Sequence, residues 1–242
     1  MKIIVNGAAG FMGRELTRII EESGHEIAAL VDINGEGMLD NINNFVGEAD
    51  VIIDFSHHSC TKELIDAAEE RSIALVLATT GQTPEELEYI KNHSDRIPLF
   101  FSANMSLGVA MLTKLARECA KMFPCADIEI VEKHHNRKLD APSGTALMLA
   151  RAISEEVDNA KFVYGRAGQA KRMPGEIGIH ALRLGDTVGE HEIIIDTGAE
   201  TLSLKHTAHS RSLFARGALE AALFIANKEP GAYSMNELVA SL

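Results

Sequence analysis

A chain of 242 residues, 46% hydrophobic and carrying a formal net charge of -12, is long enough to bury one large core or two modest ones. The acidic balance argues against nucleic acid and anionic membrane as partners, and no apolar run approaches the ~20 residues that a membrane span needs. An anionic ligand would therefore have to be held by a local cluster of positive charge.

The first element read along the chain is KIIVN (residues 2–6), a short continuous apolar run that predicts a buried parallel strand. It enters Gly7-Ala8-Ala9-Gly10-Phe11-Met12-Gly13, and RELTRIIEESG follows with Leu16, Ile19 and Ile20 at helical spacing and Gly24 as the stop. EIAALV is a second strand ending at Asp32, close to the ~20 positions after a glycine-rich turn at which a ribose-binding acid is expected. A lone G-x-x-G-x-x-G is a weak signal. Placed between a first strand and a helix, with an acid at the next strand end, it predicts a pyrophosphate on the helix N-terminus.

Residues 33–48 read as loop with a short helix. DVIIDFS, IALVLATTG and IPLFFS predict three further strands, separated by the helices TKELIDAAEER and TPEELEYIKNH; Thr83 is the N-cap of the latter, with Pro84 at its first position. This alternation predicts a doubly wound parallel sheet, its ligand at the strand C-terminal ends. Those ends offer Gly7–Gly13, Asp32, Ala78-Thr79-Thr80 before Gly81, and Ser102-Ala103-Asn104-Met105. After Asn104 the character changes. LGVAMLTKLARECAKM predicts a long amphipathic helix, DIEIV a strand, and IGIHALRLG with HEIIIDTGAETLSLKHTA a hairpin about Thr197-Gly198. The second half is thus expected to be α+β on a mixed or antiparallel sheet, whose apolar exposed face suits oligomerisation. SRSLFARGALEAALFIANK closes as a helix with Leu213, Leu219, Ala222 and Leu223 on one face.

The densest chemistry lies in EKHHNRKLDAPSGTAL, residues 132–147. Pro142 pushes Ala141 towards extended geometry, and Ser143 is the expected N-cap of a helix that runs through ALMLARAISEEV. A helix start offers free N–H donors and a positive dipole end, so a carboxylate or phosphate fits there. His134, His135 and Lys138 are expected on the connection between strand and helix, facing that anion as proton sources and fixed positive charge. The pattern suggests an anionic small molecule that is protonated while bound.

This run is similar to the E-x-H-H-x-x-K-x-D-A-P-S-G-T-A signature of the dihydrodipicolinate reductase family, and the G-T-T-G-like and A-N-F-S-like stretches at 78–81 and 103–106 extend the resemblance over most of the chain. The resemblance implies NADH- or NADPH-dependent reduction of a cyclic, conjugated dicarboxylate imine, 4-hydroxy-tetrahydrodipicolinate, in diaminopimelate and lysine synthesis. Hydride comes from the nicotinamide C4. His134 matches the general acid, and Lys138 supplies positive charge or the proton itself. His135, Ser143, Gly144, Thr145 and Arg183 match substrate-binding positions, while Asp140 orients the turn. The resemblance also implies a homotetramer, and a final helix that returns to the nucleotide domain. The expected domains are therefore 1–104 plus 212–242 for the dinucleotide, and 105–211 for substrate and oligomerisation, with a cleft that closes on ligand. Phe11, Ala78, Met105 and Leu184 depart from the family's usual arginine, glycine, phenylalanine and small residue, which bears on cofactor affinity and preference.

Asp32 can accept from both ribose hydroxyls and would repel a 2′-phosphate; Ile33 and Phe11 stand where a basic residue could offset this, so NADH is expected to be preferred to NADPH. Three cysteines, Cys60, Cys119 and Cys125, read as reduced core residues of a cytoplasmic protein. No signal peptide is read after Lys2. The pairs His57-His58 and His134-His135 lack metal-ligand spacing, and His206 with His209 has no third partner, so no metal is expected. His57 and His58 find no role. Two competing readings remain open: another two-domain amino-acid or sugar dehydrogenase, and a nucleotide-sensing module without turnover.

Overall fold

The computed structural model describes all residues, Met1–Leu242, in two compact units: residues 1–107 with 211–242, and residues 108–210. In chain order the elements are β1 (Lys2–Asn6), α1 (Phe11–Glu22), β2 (Glu26–Val31), β3 (Val51–Asp54), α2 (Thr61–Arg71), β4 (Ala74–Leu77), α3 (Pro84–His93), β5 (Pro98–Phe101), α4 (Leu107–Met122), β6 (Asp127–His134), α5 (Gly144–Ser154), β7 (Lys161–Tyr164), β8 (Glu176–Arg183), β9 (Gly189–Asp196), β10 (Thr201–Ala208), α6 (Ser212–Ile225), β11 (Gly231–Tyr233) and α7 (Met235–Ser241). No helix is long and apolar enough to cross a membrane.

The first unit is an all-parallel six-stranded sheet in the order β11-β5-β4-β3-β1-β2. Its strands are short apolar runs because both faces are covered. Ile4, Ile52, Leu75 and Leu99 point into a core closed by Leu64, Ile65 and Ala68 of α2 and Ile90 of α3. The alternate residues Ile3, Val5, Ile53, Val76 and Phe100 are equally buried. The chain runs outward from β1 to β2, then crosses to β3 on the other side of β1. That reversal opens a crevice at the carboxyl ends of β1 and β3, where α/β sheets bind ligands. α3 begins with a full capping box between Thr83 and Glu86 with Pro84 at its first position, a device worth roughly 1 kcal/mol. α6 buries small residues, Ala215, Gly217, Ala218, Ala221 and Ala222, and a Cβ at Gly217 would lie 1.7 Å from the Met105 carbonyl oxygen. The helix face differs from the expectation: Leu223 is exposed, because α6 packs through its alanines.

The second unit is a five-stranded mixed sheet, β10-β9-β6-β8-β7. β6 is its axis, parallel to β8 and antiparallel to β9. The β9–β10 hairpin pairs in register from Asp196–Thr201 to Gly189–Ala208. One face of the sheet, with Ile128, Ile130, Ile177, Ile179, Ile193 and Ile195, packs on Leu112, Ala116 and Ala120 of α4 and Leu149, Ala150 and Ile153 of α5. The other face carries half-buried Val131, Ile194 and His180 among charged pairs such as Lys133–Glu190.

Three features differ from the sequence reading. β7, β11 and α7 were not anticipated. β6 runs on to His134, so that histidine belongs to a strand and not to the connection after it. The cysteines are free, but none is a core residue: Cys60 and Cys119 are half-buried, and Cys125 is exposed in the turn between α4 and β6.

Candidate active site

At the end of β1 the chain turns on Gly7, whose φ of 78° lies in the left-handed region. A Cβ there would come 2.7 Å from the Phe55 carbonyl, and one at Gly13 would come 2.1 Å from the Gly7 oxygen. Both glycines are therefore required for the turn to close on β3 and α1. Gly7 and Ala8 donate to the Val31 carbonyl at 2.9 and 3.1 Å. α1 then starts at Gly10 with no side-chain cap, which leaves its first N–H groups for an anion. Asp32 ties the next strand end to this turn: Oδ2 accepts from Ala9 N at 3.0 Å and Oδ1 from Asn34 N at 2.8 Å. Phe11 and Ile33 are exposed.

Beneath this crest lies a carboxylate to which the sequence reading gave no role. Asp54, the last residue of β3, is fully buried. Its Oδ1 accepts from Asn6 Nδ2 at 2.8 Å, Ser56 N at 3.0 Å and Ser56 Oγ at 2.6 Å, and its Oδ2 from Thr79 Oγ1 at 2.5 Å. The ends of β1, β3 and β4 are thereby locked together. Ala78 and Thr79 are buried while Thr80 is exposed; in the next segment Met105 is buried and Ala103 exposed. Ser102 Oγ donates to the Asn104 carbonyl at 2.8 Å. His58 Nδ1 sits 2.9 Å from Glu86 Oε2, so this histidine anchors the start of α3.

In the second unit β6 continues the apolar face of Ile128 and Ile130 with Glu132 and then His134. Glu132 has no exposed surface. Its Oε2 is 2.5 Å from His134 Nδ1 and 2.9 Å from Arg183 Nη1, and its Oε1 accepts from Arg183 Nη2 at 2.8 Å and Ser143 N at 3.1 Å. Burial alone would raise its pKa. The hydrogen bonds from His134 and Arg183, the charge of His134 and the Ser143 N–H together outweigh it, and the carboxyl is held down at about 2. Arg183 was expected at the substrate. Its remaining donor contacts go to the Leu182 carbonyl at 2.7 Å and the Asp140 carbonyl at 2.6 Å, so both terminal nitrogens are engaged by Glu132 and the backbone around it, while Nε is buried without a partner.

Ser143 caps α5 as expected, accepting from Ala146 N at 3.2 Å, and its Oγ lies 3.2 Å from His191 Nε2. His191 is buried, and its ring stands edge-on to that of His134 with centroids 5.3 Å apart. Burial and the neighbouring charge of His134 push its pKa down to about 4, so it is neutral at pH 7. Lys138 Nζ is 2.8 Å from Asp140 Oδ1. The hydrogen bond and charge of Lys138, with smaller help from backbone N–H groups that include Gly144, hold the Asp140 pKa below the usual value. The structure thus brings His134, Ser143, Gly144, Lys138 and Arg183 around one carboxylate, Glu132, and one turn. His135 is half-buried beside them in sequence, and Thr145 occupies the first turn of α5. The sequence reading gave no role to Glu132 or His191; Glu132 stands two residues before His134 on the apolar face of β6, a readable signal, whereas nothing local marks His191.

Two family models match the chain: dihydrodipicolinate reductase, N-terminus, over residues 1–105, and dihydrodipicolinate reductase, C-terminus, over residues 108–239. The chain is 44% identical over 246 residues to the 4-hydroxy-tetrahydrodipicolinate reductase of Caldanaerobacter subterraneus subsp. tengcongensis, covering 99% of this chain and 98% of that one. It is 43% identical to the enzyme of the same name from Clostridium tetani, covering 98% and 96%. Among solved structures, dipicolinate-bound dihydrodipicolinate reductase from Paenisporosarcina sp. TG-14 superposes with a TM-score of 0.80 over 98% of both chains at 24% identity, a likeness of fold.

Proposed function

This chain belongs to the dihydrodipicolinate reductase family, and from that premise we propose how its residues divide the work. The reaction is the reduction of 4-hydroxy-tetrahydrodipicolinate in diaminopimelate and lysine synthesis, and the protein is an NAD(P)H-dependent oxidoreductase. The observation that carries the reading is that His134 and the start of α5 are both bonded to Glu132 while Lys138 stands on Asp140 of the intervening turn, an arrangement suited to a dicarboxylate substrate that must be protonated.

Residues 1–104 with 212–242 form the dinucleotide-binding domain, and residues 105–211 the substrate and oligomerisation domain. Gly7, Ala8, Ala9, Gly10, Phe11, Met12 and Gly13 hold the pyrophosphate through backbone N–H groups. The tight turn that Gly7 and Gly13 permit against β3 and α1, and the uncapped start of α1, fit that role. Asp32 takes the ribose, and Ala78, Thr79, Thr80 and Ser102–Met105 border the nicotinamide. When bound, NADH or NADPH supplies the hydride. With the Asp32 carboxylate bonded to the Ala9 and Asn34 N–H groups and followed by Ile33, it would repel a 2′-phosphate, and NADH is the preferred form.

On the substrate side, the N–H groups and hydroxyl of Gly144 and Thr145, with Ser143 as cap, bind one carboxylate, and His135 contacts the substrate. With Nδ1–H given to Glu132, protonated His134 carries its second proton at Nε2 and delivers that proton as general acid, with Lys138 supplying positive charge. The half-buried Val131 and Ile194 on the helix-free sheet face support assembly into a homotetramer, and the protein works in the cytoplasm. Freshly prepared 4-hydroxy-tetrahydrodipicolinate should drive oxidation of NADH, read as loss of its near-ultraviolet absorbance. Binding of NADH without oxidation would sink the reading.

A further inference from the structure

We propose that Glu132 is the positioning residue of the substrate side: one buried carboxylate orients the His134 ring and seats the start of α5, with Arg183 as its counter-ion and not a substrate ligand. The proposal rests on the reductase reading of the same site.

Three observations converge on it. A carboxylate on Nδ1 makes that nitrogen the N–H donor, so the outward Nε2 is the atom that gains and loses a proton. Space is kept for that atom: a Cβ at Gly189 would lie 3.2 Å from His134 Nε2 and 3.6 Å from Cδ2. Gly189 does not have a positive φ, and the imidazole is what a side chain at this position would meet. Secondly, Glu132 Oε1 accepts the Ser143 N–H, and Ser143 in turn caps α5. The acid and the anion-binding helix start are therefore referenced to the same two oxygens. Thirdly, Arg183 bonds both oxygens of Glu132 and reaches on to the Asp140 carbonyl. It neutralises Glu132 and pins the turn, and a substrate carboxylate could reach its terminal nitrogens only by displacing Glu132, which is fully buried.

The charged and titratable groups around His134 are Glu132 on its own strand, Arg183 on β8, His191 on β9 and Lys138 in the turn after it. Glu132 is the one acid bonded to the ring, so removing its charge leaves the imidazolium among cations and neutral groups.

The test is Glu132→Gln in the full chain, followed by nitrogen NMR of the histidine side chains and steady-state kinetics. In the wild type, neutral His134 should be the Nδ1–H tautomer; in the variant that preference should be lost. Turnover should fall at least about tenfold and the substrate KM rise several-fold, with the NADH KM unchanged, and the alkaline limb of the kcat profile should move to lower pH. If Glu132→Gln does not fold, Glu132→Gln/Arg183→Met removes both charges together and carries the same measurements. A wild-type His134 in the Nε2–H form, or a variant whose tautomer and pH limb stay in place, overturns the proposal. Since the tautomer is read without substrate, a wild type that shows it but reduces no imine would count against the reductase reading and not against this one.

Discussion

Asp54 and Glu132 are both carboxylates without exposed surface, and each ends up near the carboxyl end of a strand in its own unit. Their partners differ in kind. Asp54 receives only neutral donors, an amide, a backbone N–H and two hydroxyls. Glu132 receives a guanidinium, an imidazole and a backbone N–H. A buried charge held by neutral dipoles fixes geometry: here it aligns β1, β3 and β4 beneath the turn proposed to hold the dinucleotide. A buried charge held by a titratable partner can also tune proton chemistry, which is what the substrate side demands.

The sharpest way to break this contrast is to remove one partner from each network. Arg183→Met should cost about 3–5 kcal/mol of stability, because it strands a buried charge. Thr79→Val removes one neutral donor of several from Asp54 and should cost about 2 kcal/mol. Denaturant melts of both variants measure this, and equal losses would abolish the distinction.

Acid should separate the two networks next. Glu132 is depressed from 4.5 to about 2 and His191 from 6.5 to about 4. Both shifts favour the folded state above the unfolded pKa. Stability is therefore lost as pH falls from 6.5 through 4 for His191, and from 4.5 towards 2 for Glu132, each on the order of 3 kcal/mol. His191→Gln should flatten the pH 4–6.5 portion of the stability curve, and an unchanged slope there would remove His191 from the account.

A smaller effect is expected in catalysis. His134→Gln and Lys138→Ala should each lower turnover by at least about tenfold, the lower end of acid–base effects, while NADH affinity, set in the other unit, stays put. Near-normal turnover in either variant would remove its role. The smallest concerns cofactor choice. NADH should be used better than NADPH by about tenfold, from one uncompensated charge contact of ~1 kcal/mol, and Asp32→Ala should narrow the gap mainly by weakening NADH. Steady-state constants for both cofactors decide this, and equal use of NADPH by the wild type would point to a phosphate-binding group elsewhere.

The parallel sheet was legible because its strands are continuous apolar runs punctuated by Gly7 and Thr83-Pro84, signals that act locally. β11 was not, since Gly231–Tyr233 becomes a strand only by pairing with β5. The pairing of Glu132 with Arg183 was hidden for a similar reason. The two lie 51 positions apart and meet because His134 pairs with Arg183 across parallel strands, a register that no local pattern states. His134 itself was visible as chemistry but misplaced by one element, because the polar Glu132 hides the continuation of β6. Leu223 shows the limit of helical periodicity: in α6 the alanines on the neighbouring stripe pack more closely than the leucine could.

Asp140 has one more consequence. Its exposed carboxylate already lies on Lys138 Nζ and faces the Gly144 N–H, two of the groups proposed to receive the substrate. If those groups receive the substrate, Asp140 is a placeholder anion. Substrate capture then becomes a swap of one carboxylate for another, with little net change in local charge. The resting site keeps its donors satisfied and its lysine in place while it waits, and affinity should depend less on ionic strength than a bare cationic pocket would. Selectivity follows from the same swap: a monocarboxylate gains only what Asp140 gives up, so the second carboxylate of the substrate must tip the exchange.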